Sequence, residues 1–114
     1  MNRDLIPQID PLIERLQSWY GAQVEIVEQI TRSPGNLDRH FTTRSSFVMR
    51  LELVMIAMSG CTLMLSGTIG DYQVDYQTTV DCLESLSIGT DEVLFVEKFG
   101  NVAERHSTFK RLTS

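Results

Sequence analysis

Residues 47–69 limit the fold of this chain more than any other segment. Alternate residues of 47–57 are apolar, beginning with Phe47 and Met49. After Ser59-Gly60-Cys61 the odd-numbered residues of 63–69 are again apolar or small. A period of two is that of a β-strand with one buried face. The segment therefore predicts two antiparallel strands joined by a turn.

The turn between these strands fixes which residues face each other. A two-residue turn at Ser59-Gly60 would pair odd positions with even ones and set hydroxyl groups beside the most apolar face. A three-residue loop, or an equivalent bulge, pairs odd with odd and leaves one face wholly apolar. Because a slip of one residue moves every side chain to the opposite face, the pattern predicts the second arrangement. Arg50 and Glu52 then lie on the other face.

The remaining elements follow from local signals. Residues 11–20 predict an amphipathic helix capped by Asp10 and ended by Gly21. Residues 22–31 predict a strand, and 32–46 a loop that concentrates arginines. A short strand at 72–76 precedes a short helix that holds Val80, Leu83 and Leu86. Residues 93–99 and 102–112 predict two strands joined at Gly100-Asn101. We expect one α+β domain spanning residues 1–114. It has an antiparallel sheet of about five strands, an N-terminal helix and one short internal helix.

Composition indicates which binding partners and which cellular compartment suit this chain. The net charge of −5 disfavours nucleic acid and anionic membrane surfaces, which bind basic patches. Residues 47–69 contain Arg50 and Glu52 and do not suit a membrane helix. The N-terminal residues do not form a signal peptide. Two cysteines, Cys61 and Cys82, lie in apolar stretches and are interpreted as buried reduced thiols. Together these features predict a cytoplasmic domain.

Motifs for metals, cofactors and nucleophiles are missing from the sequence. His40 and His106 have no ligand partner at metal-like spacing, and no glycine-rich phosphate loop or GxSxG motif occurs. We therefore expect no metal and no cofactor. The charged residues left to consider are Arg50 and Glu52, which share one face of a strand, and Arg44 in the basic loop. A guanidinium can hold a carboxylate through two hydrogen bonds, and Glu52 can orient Arg50. The alternative is a solvated ion pair on the outer face of a sheet.

These segments resemble the chorismate pyruvate-lyase family in element order over residues 12–112. Phe47-Val48-Met49-Arg50-Leu51-Glu52-Leu53 resembles the strand whose arginine contacts the ligand carboxylate. Leu83-Glu84-Ser85-Leu86-Ser87-Ile88-Gly89, with Leu94-Phe95, resembles a later family segment, although Ser87 replaces its proline. Residues 105–112 resemble the strand that follows, which often begins with an arginine, here Arg105. The stretch Leu65-Ser66-Gly67-Thr68 lacks the family's second arginine, and no residue matches its catalytic glutamate.

The resemblance implies a ligand site made by Arg50, Glu52, Arg44 and Arg105 for a small aromatic acid such as chorismate or 4-hydroxybenzoate. We expect binding without catalysis, from a truncated or degenerate relative. If the chain is an enzyme, the resemblance implies a carbon–oxygen lyase that releases pyruvate. The alternative is an interaction domain with no small ligand, whose apolar strands form a homodimer or dock on a protein partner.

Overall fold

The computed structural model describes residues 2–32, 41–57 and 61–113. Arg3–Gln8 forms a 3₁₀ helix and continues directly into helix α1, Ile9–Gln17. The strands are β1 (Gln23–Arg32), β2 (Phe41–Ile56), β3 (Thr62–Ile69), β4 (Tyr72–Thr79), β5 (Leu83–Ile88), β6 (Glu92–Phe99) and β7 (Ala103–Thr113). All seven belong to one antiparallel sheet in the order β4-β3-β2-β1-β7-β6-β5.

The N-terminal helix is confirmed, with an earlier start than the sequence predicts. Asp10 lies inside α1 and does not cap it, because the 3₁₀ helix of Arg3–Gln8 supplies the preceding turn. Asn2 caps that 3₁₀ helix by accepting a hydrogen bond from the backbone N–H of Asp4 at 3.1 Å. The apolar stripe of α1 is buried, through Leu12 and Leu16, and Trp19 continues it beyond the end of the helix.

The α+β class is confirmed, but the sheet has seven strands and not about five. The predicted short internal helix is wrong. Val80–Cys82 is a single 3₁₀ turn, and the residues after it form β5. Leu86 pairs with Phe95 and Ile88 with Val93, so these two apolar side chains face the core with a strand period of two. Burial beside β6 therefore makes this segment a strand, although its local pattern is also compatible with a helix.

The predicted loop at residues 32–46 is wrong over its second part, because β2 begins at Phe41. Residues 33–40 lie outside the described part of the chain. The first residues of β2 pair with β1, and the Thr31 and Thr42 hydroxyls share a hydrogen bond of 3.2 Å across the two strands. Residues 41–46 are exposed on both faces, so this end of the strand has no hydrophobic period for sequence reasoning to detect.

A bulge between Leu51 and Leu53 changes which residues of β2 are buried. Odd positions pair with odd ones at Leu51 and Gly67, as predicted, but nearer the turn Ile56 pairs with Leu63. Beyond the bulge the predicted buried face is therefore wrong. Val54 is buried, whereas Leu53 and Met55 are 45% and 40% exposed. Ser59 and Gly60 of the predicted Ser59-Gly60-Cys61 loop lie outside the described residues. The register shift that pairs odd positions with odd ones is a bulge within β2.

The sheet rolls up so that β4 reaches β6 and β7, although three strands separate β4 from β7 in the sheet order. Arg105 of β7 donates a hydrogen bond to the backbone carbonyl of Gln77 at 3.0 Å. Glu97 of β6 accepts one from the backbone N–H of Thr79 at 2.7 Å. The inner side of the roll and the apolar stripe of α1 together form the core, which includes Trp19, Leu51, Leu65, Phe95 and Phe109.

We predict that the close approach of the β2 backbone requires glycine at position 67. A Cβ at this position would lie 2.1 Å from the backbone carbonyl oxygen of Arg50, with no room to move. Gly67→Ala should therefore lower the free energy of unfolding by about 3 kcal/mol or more, the upper end of overpacking. Gly70→Ala is the control, because Gly70 has a φ of +60° but nothing within 4 Å. It should lose about 1–2 kcal/mol. Urea denaturation measures both, and equal losses would contradict the close approach.

Candidate functional site

A charged cluster inside the roll joins three strands. Glu97 of β6 is fully buried, and Arg105 of β7 donates two hydrogen bonds to its carboxylate, from Nε to Oε1 at 2.7 Å and from Nη2 to Oε2 at 2.8 Å. Glu28 of β1 lies 3.6 Å from Nη1 of Arg105. The guanidinium also lies over the rings of Tyr76 and Phe99, at 5.8 and 5.9 Å from their centroids. The guanidinium of Arg105 thus contacts two carboxylates and two aromatic rings.

Tyr76 extends this cluster into the aromatic core. Its hydroxyl shares a hydrogen bond of 2.6 Å with Ser107 and donates one to Glu28 at 3.3 Å. Its ring packs edge-on against Phe109, 5.8 Å between centroids. Burial raises the pKa of Tyr76 to about 12, because the phenolate would lose its hydration. The hydrogen bonds to Glu97 raise the pKa of Arg105. Both groups are thus held in one protonation state.

The cluster of Arg105, Glu97 and Glu28, called the clasp below, therefore holds the strands together and is a poor anion site. The guanidinium of Arg105 already faces two carboxylates, those of Glu97 and Glu28, so its local charge balance is negative. An incoming carboxylate would have to displace Glu97, which is buried and which also accepts the Thr79 N–H. Leaving that carboxylate without its partner costs several kcal/mol.

The other predicted site residues lie apart from Arg105. Arg44 and Arg50 lie on the outer face of β2 and are exposed, whereas Arg105 lies on the inner face opposite Ile30. Glu52 is exposed at the bulge and accepts a hydrogen bond from Thr68 at 3.4 Å. Arg50 and Glu52 form no ion pair with each other. The structure therefore does not bring the four residues together, and their role in ligand binding stays a prediction.

An open groove lies beside α1. It has a volume of about 280 Å³ and is lined by Pro11, Glu14, Arg15 and Ser18 on the helix and by Ile88 on β5. The Nε atom of Arg15 is buried and has no hydrogen-bond partner. Across residues 2–32, 41–57 and 61–113, no carboxylate forms an ion pair with its guanidinium. Arg15 thus differs from Arg105, whose charge is fully matched.

The sequence contains a signal for Arg15 that does not take the form of a motif. Leu12, Leu16 and Trp19 mark the buried stripe of the predicted helix, and Arg15 lies three residues after Leu12 and four before Trp19. Residues at these spacings share one face of a helix. A cation placed within an apolar stripe needs an explanation, whether as a structural partner or as part of a site.

No family model matches the chain, and neither a curated protein nor a solved structure matches it. Within the described residues no three or more His, Cys, Asp or Glu side chains are grouped so that they could hold a metal ion. No helix in that part of the chain is long and apolar enough to cross a membrane. Cys61 and Cys82 are half-buried, less enclosed than the sequence predicts.

The clasp makes a direct prediction about stability. Arg105→Met should cost about 3–5 kcal/mol, because it leaves the buried Glu97 carboxylate without its cation. Adding Glu97→Gln to that variant should recover part of the loss, since the amide can still accept the Thr79 N–H. The control is Arg111→Met, which removes the exposed ion pair with Asp91 and should cost at most about 1 kcal/mol. Urea denaturation of the four proteins tests this; similar losses in Arg105→Met and Arg111→Met would refute the clasp.

Tyr76 predicts a pH dependence at the alkaline end. Its folded pKa is about 12 and the ordinary value is 10.0, so the unfolded chain loses this proton first. The stability contributed by the Tyr76 hydroxyl should be fully present below pH 10 and lost as the pH rises towards 12. The difference in unfolding free energy between wild type and Tyr76→Phe should therefore shrink across that window. A difference that stays constant between pH 9 and 11.5 would be inconsistent with the raised pKa.

Proposed function

We propose that this chain is a non-enzymatic binding domain that holds a small organic carboxylate in the groove beside α1. The observation that carries the proposal is Arg15 itself, a half-buried residue that lines the groove and forms no ion pair with any carboxylate of the described residues. Buried cations in folded proteins are ordinarily paired, because burial removes their hydration. A carboxylate supplies the matching charge and can accept two parallel hydrogen bonds from one guanidinium.

The shape of the groove suits a small ligand with an apolar body. Pro11 and Ile88 supply apolar surface next to Arg15. A cavity of about 150 Å³ is enough to hold benzene, so a groove of about 280 Å³ has room for a benzoate-sized acid. This ligand class agrees with the aromatic acid that the family resemblance implies. The proposal replaces Arg50 with Arg15 as the residue that holds the carboxylate.

The groove residues support binding more than catalysis. The Ser18 hydroxyl is the one side-chain nucleophile among the lining residues, and it donates its hydrogen bond to the backbone carbonyl of Arg15 at 2.5 Å. A serine becomes a nucleophile only when a neighbouring base accepts its proton. A backbone carbonyl cannot act as that base. The lyase activity that the resemblance implies therefore has no support from this groove.

Self-association is the second candidate, and one observation favours it. Leu53 and Met55 are exposed on the outer face of β2, and Met55 pairs with the half-buried Met64. Adjacent exposed apolar side chains are a feature of interfaces. In this reading the chain needs no small ligand, and a second copy or a protein partner covers β2. Sedimentation at increasing protein concentration, with Leu53→Gln/Met55→Gln as the matched variant, decides between monomer and dimer.

The site of binding can be tested with three proteins and two ligands. Thermal unfolding is followed with benzoate and 4-hydroxybenzoate for wild type, Arg15→Met and Arg50→Met. A ligand at a hundredfold excess over its dissociation constant stabilises the fold by about 2.7 kcal/mol. We expect this gain in wild type and in Arg50→Met, and its loss in Arg15→Met. Loss in Arg50→Met alone would move the site to β2, and no gain in any of the three would overturn the proposal.

The ligand-free proteins give a further prediction. Arg15→Met keeps the unbranched stem of the side chain and removes a charge that has no partner in the described chain. Its unfolding free energy should therefore be unchanged or raised by up to about 1 kcal/mol, as is common when a functional residue is replaced. A loss of about 2 kcal/mol would instead identify Arg15 as a structural residue and weaken its assignment to the site.

A further inference from the structure

We infer that Glu14 restricts the Arg15 groove to ligands that carry a single negative charge. This inference rests on the proposed function, and it concerns the only two charged residues among the groove's lining, Glu14 and Arg15. They are neighbours on α1 and both line the groove, yet they form no ion pair with each other. Glu14 is exposed, whereas Arg15 is half-buried. Glu14 thus presents its carboxylate to solvent beside the groove, and the charge of Arg15 has no carboxylate partner among the described residues.

The charge balance of the groove follows from this pair. One carboxylate and one guanidinium sum to zero, so binding of a monocarboxylate leaves the groove with a charge of −1. A ligand with two anionic groups leaves −2, and the second group has no cation among the lining residues. Repulsion between Glu14 and an anionic group held about 4 Å away in partly solvated surroundings would lower affinity roughly three- to tenfold.

The C-terminal end of α1 also disfavours a ligand with a second anionic group. Arg15 lies in the last turn of the helix, where the backbone carbonyls carry partial negative charge. The Arg15 guanidinium offsets this charge at one point only. A second anionic group would approach either the Glu14 carboxylate or the carbonyls of the last turn. The groove should therefore take a monocarboxylate with an apolar body and disfavour dicarboxylates and phosphate dianions.

The test compares benzoate with benzene-1,2-dicarboxylate on three proteins by isothermal titration at low salt. Glu14→Gln should raise the affinity for the dicarboxylate by roughly three- to tenfold and change that for benzoate by less than about twofold. Glu52→Gln is the control, because it alters the net charge equally but lies outside the groove. It should leave the ratio of the two affinities unchanged.

Salt provides a second readout for the same inference. Glu14 is exposed, so its repulsion is screened, and the preference of wild type for benzoate should shrink at about 0.5 M salt, where the Debye length falls to a few ångströms. An affinity ratio that is the same in wild type and Glu14→Gln, with benzoate still bound through Arg15, would overturn the role of Glu14 alone. Absence of benzoate binding to wild type would overturn both this inference and the proposed function.

Discussion

The burial of one carboxylate, that of Glu97, determines how this sheet closes. Glu97 is inaccessible to solvent, and Arg105 and the backbone N–H of Thr79 are the groups that bind it. Arg105 also donates to the carbonyl of Gln77, so the edge of β4 is fastened to β6 and β7 by side chains where a barrel would use backbone ladders. A buried pair of this kind contributes little net free energy over an apolar equivalent. Its effect is to fix the position of β4, because any other position would leave a buried charge without its partner.

Arg15, which lines the groove beside α1, has the opposite arrangement. Both arginines lie on elements that pack against the core, and both lose hydration there. Arg105 regains what it loses through Glu97, Gln77 and Glu28, whereas the Nε of Arg15 is enclosed with no partner in the described chain. The contrast therefore supports a functional reason for Arg15 more strongly than its exposure alone would.

Sequence reasoning succeeded where one face of an element is buried and the other is solvated. β1, β3 and the β6–β7 hairpin lie within one or two residues of their predicted ranges, because their periods and turn residues agree. It failed where tertiary contacts override the local pattern. β5 is a strand because Phe95 and Val93 offer it a buried partner. Beside the β2 bulge the backbone of Arg50 approaches Gly67 closely, and Gly67 lies sixteen positions beyond its pairing partner Leu51 in the chain. Neither contact can be read from a window of neighbouring residues.

The candidate site also shows where reasoning from local sequence fails. Arg50 attracted attention because it interrupts an apolar strand, but antiparallel sheets commonly keep one solvated face, and Arg50 lies on it. Helix α1 packs against the inner side of the rolled sheet and has fewer possible orientations, since Leu12, Leu16 and the following Trp19 must be buried for the core to close. Arg15 lies beside that stripe, on the same face of the helix, and is half-buried there. Arg15 is therefore constrained by the fold in a way that Arg50 is not, and a cation held at the boundary of the core is the better place to look for a ligand.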